Sequence, residues 1–248
     1  MDDDPPLGAS VFTTLRWDGS RVAWLDRHIL RLRRHAECLE IEWPTDFDQR
    51  LASTTLDGDG NLCQISLNRD GEIRLTLRRT EYPHSPLTAI SQVAPRFNQR
   101  VQGTKHDDWS AYQIARKNAK DSGADIALLV HNGIIVDGDR CTPILLDIDG
   151  IAYAPEPDGG GVDSVTLEVL SPAIEASGIP FRRARLTEKL LGRAREIIVV
   201  GTGVGVAWLN QIDGQPIGTN SSGPLYTTCA LAFESKLRDS WTDLEARN

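Results

Sequence analysis

The run from Gly103 to Gly138, GTKHDDWSAYQIARKNAKDSGADIALLVHNGIIVDG, constrains the fold of this 248-residue chain more than any other stretch. A single lysine, Lys105, opens it. A helix is expected next, because Ala115, Ala119 and Gly123 recur every four residues and so share one helical face. An apolar strand, Ile126 to Val130, then meets a turn at His131-Asn132-Gly133. A second short apolar run, Ile134 to Val136, ends on an acid, Asp137. A basic residue just before a helix and an acid just after a hairpin can bring a nucleophile and a counter-charge together.

The segments on either side alternate strands and helices without regular βαβ units. Val11 to Arg16 (VFTTLR) is rich in β-branched residues and reads as a strand. Asp18-Gly19 marks a turn, and Arg21 to Leu25 reads as the return strand of a hairpin. Asp26 is the expected N-cap of a helix running to about Leu39, with Ile29, Leu32, Ala36 and Leu39 on its apolar face. His28, Arg31, Arg33, Arg34 and His35 lie on the same helix, and a basic run of this kind reads first as a solvated face. A short helix over 44–56 and a strand pair, Cys63 to Leu67 with Glu72 to Arg79, follow. Leu87 to Val93 is a further strand, and Pro95 to Thr104 has the weak periodicity of a linker. Further on, strands are expected at Pro143 to Ile148, Ile151 to Ala154 and Glu196 to Val200. Helices are expected over Val162 to Ser177, Thr187 to Leu191 and 223–246, the last with Leu231, Phe233 and Leu237 inward. The reading is a mixed α/β (α+β) chain in two subdomains, 1–98 and 105–248, joined by a linker over 99–104.

Composition removes several function classes. The chain is 40% hydrophobic and 25% charged, which excludes a disordered polymer. Its net charge of -8 gives no basic surplus for nucleic acid or an anionic membrane surface. No apolar run approaches the length of a membrane span, and MDDDPPLGAS reads as a flexible acidic lead-in rather than a signal peptide, so a cytoplasmic location is expected. Cys38, Cys63, Cys141 and Cys229 are too far apart for zinc-type pairs and read as buried or incidental thiols. The Asp57–Gly60 repeat fails as a calcium loop, because its sixth position is Leu62 and its twelfth is Asn68; no metal is expected. Gly201-Thr202-Gly203-Val204-Gly205 fails as a dinucleotide fingerprint, since a third glycine at the right spacing and a following helix are missing.

Three ordered blocks carry a resemblance. They are VFTTLRWDGSRVAWLDRHILRLRRHAECLEI, TKHDDWSAYQIARKNAKDSGADIALLV and GTGVGVAWLNQIDGQPIG. Together they resemble the class IV aminotransferase family, the fold-type IV enzymes of pyridoxal 5'-phosphate (PLP), from about residue 8 onward. That family includes branched-chain and D-amino-acid aminotransferases and 4-amino-4-deoxychorismate lyase. The resemblance implies a two-subdomain architecture like that of D-amino-acid aminotransferase. It also implies a homodimer whose site lies at the domain interface and is completed by the partner chain.

The resemblance further implies residue roles. Lys105 would form the Schiff base with PLP and shuttle the α-proton, working from a neutral amine that burial and neighbouring cations favour. Arg31 matches the phosphate-binding arginine, a role its planar fork suits. Asp137 falls where the family carries a glutamate against the pyridine nitrogen, with Asp139 as the alternative. Thr202 and Gly203 match the late phosphate loop. Gly161 and Val162 stand where the family's Gly-Ile-Thr-Arg loop gives amides to the phosphate. The departures are the shorter acid at 137, Asp139-Arg140-Cys141-Thr142-Pro143 in place of a Ser/Asn-rich run, and Gly160-Gly161-Val162-Asp163-Ser164 without the loop arginine. The segment before Val11 is also shorter than the family's first strands. Phe12-Thr13-Thr14 and Lys105-His106 lean towards the lyase, which eliminates pyruvate and releases 4-aminobenzoate. The alternatives are a transaminase acting on a branched-chain or D-amino acid and a 2-oxo acid, and a catalytically impaired homologue of the PLP fold.

Overall fold

The computed structural model describes residues 10–244 and divides into two compact units whose chain segments interleave. The first comprises residues up to 81, 97–109 and 237 onward; the second comprises 82–96 and 110–236. This differs from a single cut at 99–104. Residues 105–107 hydrogen-bond to the first strand of the chain, so Lys105 belongs to the first unit. Strand 87–93 pairs with later strands and belongs to the second. The lead-in over residues 1–10 lies, except for Ser10, outside the described residues, as do residues 245–246 of the expected terminal helix. Among the described residues no helix is long and apolar enough to cross a membrane.

The first unit contains β1 (Ser10–Arg16), β2 (Arg21–Ala23), α1 (Leu25–Cys38), α2 (Phe47–Ser53), β3 (Leu56–Gly58), β4 (Leu62–Asn68) and β5 (Ile73–Arg78). Its sheet has the order β1-β4-β5-β3, antiparallel except for the β3–β5 pair. Arg21 to Leu25 is not the return strand of a β1 hairpin. β1 pairs along its whole length with β4, and β2 pairs with a short strand, Trp241–Asp243. Only a single bridge, Trp17 to Val22, links the two runs. Trp24 takes a left-handed φ of 52° and stands at the N-cap of α1, which places Asp26 inside the first turn rather than at the cap. An acid there still meets the positive end of the helix dipole. Val11 and Leu15 of β1 pack with Leu32 and Ala36 of α1, with Leu39 at its C-cap and with Ile65 and Leu67 of β4, so Thr13 is carried into the same interior.

The second unit contains β6 (Leu87–Val93), α3 (Ser110–Asp121), β7 (Ile126–His131), β8 (Ile134–Gly138), β9 (Thr142–Asp147), β10 (Ala152–Pro155), α4 (Val165–Ala176) and β11 (Phe181–Ala184). It continues with β12 (Leu186–Thr187), α5 (Glu188–Leu191), β13 (Ala194–Gly201), β14 (Gly205–Ile212), β15 (Gln215–Pro216) and α6 (Pro224–Arg238), whose last two residues fall in the first unit. The strands form one mixed sheet in the order β11-β10-β9-β13-β14-β6-β7-β8-β12, with β15 beside β14. The fold is thus mixed α/β, without the repeated βαβ crossovers of a doubly wound sheet. Ala115 and Ala119 are buried on α3 as their spacing requires, and Gly123 (φ 76°) ends the helix with the 6→1 bond from Ala124 N to Ala119 O. The helix expected from Val162 begins at Val165, because the Ser164 hydroxyl accepts from Leu167 N and caps it there. In α6, Phe233 and Leu237 are buried but Leu231 is 70% exposed. Two residues along a helix turn through about 200°, so Leu231 and Phe233 face opposite ways. The buried stripe is Leu225, Cys229, Phe233 and Leu237.

The start of α6 rests on one buried acid. Glu196 of β13 accepts hydrogen bonds from the backbone N–H groups of Gly223 (3.0 Å), Leu225 (2.9 Å) and Tyr226 (2.8 Å). These are amides that an open helix end leaves without carbonyl partners. Glu196→Gln puts an NH2 group against those donors. It is expected to lower unfolding stability by about 1–3 kcal/mol, read from the urea midpoint at constant slope. An unchanged midpoint would show that the carboxylate contributes nothing to α6.

Candidate active site

In the first unit the chemistry gathers on one face of α1. His28, Arg31 and His35 recur at i, i+3 and i+7, the spacing that stacks side chains along a helix. All three are at most 5% exposed. The Arg31 guanidinium donates from Nη2 to the Thr13 hydroxyl at 2.7 Å. Arginine cannot accept, so Thr13 receives that bond, and its hydroxyl is paired with His28 Nδ1, 2.8 Å away. His28 Nε2 has no hydrogen-bond partner among the described residues. Burial holds its pKa well below 6.5, and the charges of Arg31 and Lys105 add to the effect.

Lys105 is half-buried and held by its backbone on two sides. Its carbonyl accepts from Phe12 N of β1 at 2.9 Å, and its N–H donates to His35 Nδ1 at 3.1 Å. Its ammonium lies 4.2 Å from the Trp109 ring centroid and 5.0 Å from that of Phe12, two rings in edge-to-face contact. His106, 1% exposed, bridges to Val11 and stands edge-on to Phe97 at 4.5 Å. Neither of its ring nitrogens has a hydrogen-bond partner among the described residues.

Burial lowers the pKa of His28, His35 and His106 below 6.5, against the opposing pull of Asp108 and Asp107 on His106. Each imidazole binds its proton less well folded than unfolded. The associated stability is therefore complete above pH 6.5 and is lost as pH falls below it. Urea unfolding is expected to show a decline of about 2 kcal/mol by pH 5 for each imidazole that stays neutral to that pH. A stability flat from pH 7 to pH 5 would mean that these histidines take up protons inside the folded protein without penalty.

In the second unit Asp137, at the end of β8, is 5% exposed. Its carboxylate accepts from Val162 N at 2.8 Å and from the Thr142 hydroxyl at 3.3 Å. Gly161 makes that approach possible, since a Cβ there would stand 2.2 Å from the Val136 carbonyl oxygen. Asp137, Gly161 and Val162 are thus brought together, with the Val162 amide given to the acid. Asp139 is engaged otherwise. It accepts from Arg140 Nη1 at 2.7 Å and Ala127 N at 3.3 Å, and burial raises its pKa. Thr202 and Gly203 form the tip of the β13–β14 hairpin, closed by Val204 N to Gly201 O at 3.2 Å. Gly201 passes so close to the Arg140 carbonyl that a Cβ would lie 2.8 Å from it.

Sequence reasoning missed three side chains. Tyr112 of α3 is 3% exposed, and its phenol pKa is raised by burial and then by the Asp137 charge, with Arg96 opposing. Its only signal is its place among the inward positions of α3. Trp109 and His35 had none, because their roles depend on where Lys105 lies in space.

The class IV amino-transferase family model matches residues 10–212. The D-alanine aminotransferase of Bacillus licheniformis is 22% identical over 256 residues, covering 93% of this chain and 88% of that protein. A branched-chain amino acid aminotransferase from Escherichia coli superposes with a TM-score of 0.75 at 16% identity, covering 96% of this chain and 90% of that one. A Legionella pneumophila protein designated a 4-amino-4-deoxychorismate lyase superposes with a TM-score of 0.77 at 18% identity, covering 93% and 92%. The architecture is therefore that of fold-type IV enzymes, and the chain belongs to the class IV aminotransferase family, whose cofactor is pyridoxal 5'-phosphate.

Proposed function

We propose that the chain is a PLP-dependent enzyme of the 4-amino-4-deoxychorismate lyase type, eliminating pyruvate from an amino substrate. The observation that carries the cofactor assignment is the Arg31–Thr13–His28 cluster. The charges that act on His28 and His35 are cationic ones, from Arg31, Lys105 and Arg34 among them, and a phosphate dianion complements such a field. The residues present thus fit the phosphate of the cofactor. The amine at Lys105 between two rings fits its carbonyl.

When bound, PLP supplies an electrophilic carbon for an amine and an electron sink for the carbon that loses its proton. The chain supplies the rest. Lys105 Nζ takes and returns the α-proton. Phe12 and Trp109 keep water from the amine. In the first unit Arg31 would hold the phosphate; in the second, the Thr202 hydroxyl and the Gly203 amide would be the donors available to it. Asp137 would hold a proton on the ring nitrogen, its carboxylate aimed by the Val162 N–H that Gly161 admits. The lean to the lyase rests on Phe12-Thr13-Thr14 and Lys105-His106. The likeness to D-alanine aminotransferase favours a second reading, a transaminase exchanging an amino group between a D- or branched-chain amino acid and a 2-oxo acid. A homodimer in the cytoplasm completes the proposal, and light scattering on the purified protein tests the dimer.

The test is a near-visible absorption spectrum with added PLP, before and after borohydride, followed by peptide mapping and substrate assays. Label fixed on Lys105, with pyruvate and 4-aminobenzoate released when no 2-oxo acid acceptor is added, supports the proposal. Amino exchange that requires a 2-oxo acid selects the transaminase. Label on Lys105 with neither reaction identifies an impaired homologue. Label scattered over other lysines overturns the cofactor assignment itself.

A further inference from the structure

We propose that His35 is a positioning residue for Lys105, its neutral imidazole holding the Lys105 peptide so that acidification releases the lysine. The proposal rests on Lys105 being the cofactor lysine. Among the described residues the Lys105 peptide is anchored by Phe12 N–H of β1 on its carbonyl (2.9 Å) and by His35 Nδ1 of α1 on its N–H (3.1 Å). The first is ordinary strand pairing and does not titrate in the range of enzyme function. The second depends on an imidazole that can accept only while Nδ1 has no proton.

The surroundings keep His35 in that state. It is 5% exposed. The charged and titratable groups that act on it are Arg31 and Arg34 from α1, and Lys105 and His106 from the segment lying against β1. All are bases, so a proton on His35 gains no counter-charge and meets a buried guanidinium one turn away. Burial is the larger cause of its depressed pKa, followed by these charges. Protonation then takes the acceptor away from the Lys105 N–H. Asparagine keeps the acceptor without the titration, because its Oδ1 lies near the place of Nδ1 and accepts at every pH.

The experiment compares the full chain with His35→Asn and His35→Leu. Hydrogen exchange of the Lys105 amide is followed by NMR without PLP, and PLP affinity by borohydride trapping at pH 7.5 and at steps below pH 6.5. Wild type is expected to lose Lys105 protection and PLP affinity together on acidification. His35→Asn should match wild type at pH 7.5 and show a flattened acid limb. His35→Leu should exchange the Lys105 amide about 5-fold faster or more, the size of one net hydrogen bond. An acid limb unchanged in His35→Asn overturns the proposal, as does full Lys105 protection in His35→Leu. Should His35→Leu fail to fold, the asparagine comparison decides alone. Absence of PLP trapping on wild-type Lys105 refutes the cofactor reading instead, while amide exchange without PLP still reports on His35.

Discussion

Lys105→Ala is expected to abolish borohydride-fixed PLP on the 103–138 segment and to cut turnover by at least about 10²–10⁴-fold, the contribution of one positioned proton-transferring group. The structure separates this loss from misfolding. The bonds from residue 105 to Phe12 and His35 are backbone bonds of that residue and survive in the alanine variant. What disappears is the amine between Phe12 and Trp109, a contact worth about 0.5–1 kcal/mol at a partly exposed position. Thermal unfolding should therefore move by only a few degrees. Lys105→Arg should fail equally in turnover, because a guanidinium stays protonated and cannot take up the α-proton. Substantial turnover in either variant would remove Lys105 from the reaction.

Arg31→Leu is expected to weaken PLP binding by about 10–150-fold, the equivalent of one charge-assisted contact of about 1.5–3 kcal/mol. Binding of pyridoxal, which has no phosphate, should stay near its wild-type value, and this contrast identifies the arginine's target. Arg31→Lys should restore little, since an ammonium cannot reproduce the fork. A second readout follows from the charges around α1. Arg31 is the second cause of the low pKa of both His28 and His35, so its removal should raise both towards 6.5. Imidazole titrations by NMR would show this. Equal losses for PLP and pyridoxal would mean that Arg31 supports the fold and not the phosphate.

The surroundings of Lys105 were legible in part because several of their side chains come on local patterns. Lys105, Ala115, Ala119 and Gly123 have fixed offsets, and the structure keeps them: two buried alanines on α3 and a left-handed glycine at its end. Arg31 was readable by its place in the His28-to-Arg31 block. The strand β14 was hidden, because its opening glycines read as a phosphate loop and masked the alternating burial of Gly205, Ala207 and Leu209. β11 was hidden by Arg182 and Arg183, charges that a strand at the end of a sheet tolerates. The inward face of α6 was misassigned at Leu231; its buried stripe runs instead through Leu225, Cys229, Phe233 and Leu237. His35 illustrates a harder limit. On a helix with Arg33 and Arg34 it reads as one more solvated base, and only the return of Lys105, seventy positions later, gives it a partner.

The pairing of β2 with Trp241–Asp243, together with Leu244 in the core that holds Leu32 and Ile65, bears on how the protein is born. On the ribosome β2 emerges before every residue of the second unit, and its partner strand emerges after all of them. The strands of the second unit emerge earlier, although its α6 ends at Arg238, shortly before that partner strand. The Lys105-bearing unit must wait, with β2 unpaired and the place of Leu244 unfilled, until the final strand leaves the tunnel. A nascent chain stalled before Trp241 is thus the species most exposed to holdase chaperones and to edge-to-edge association.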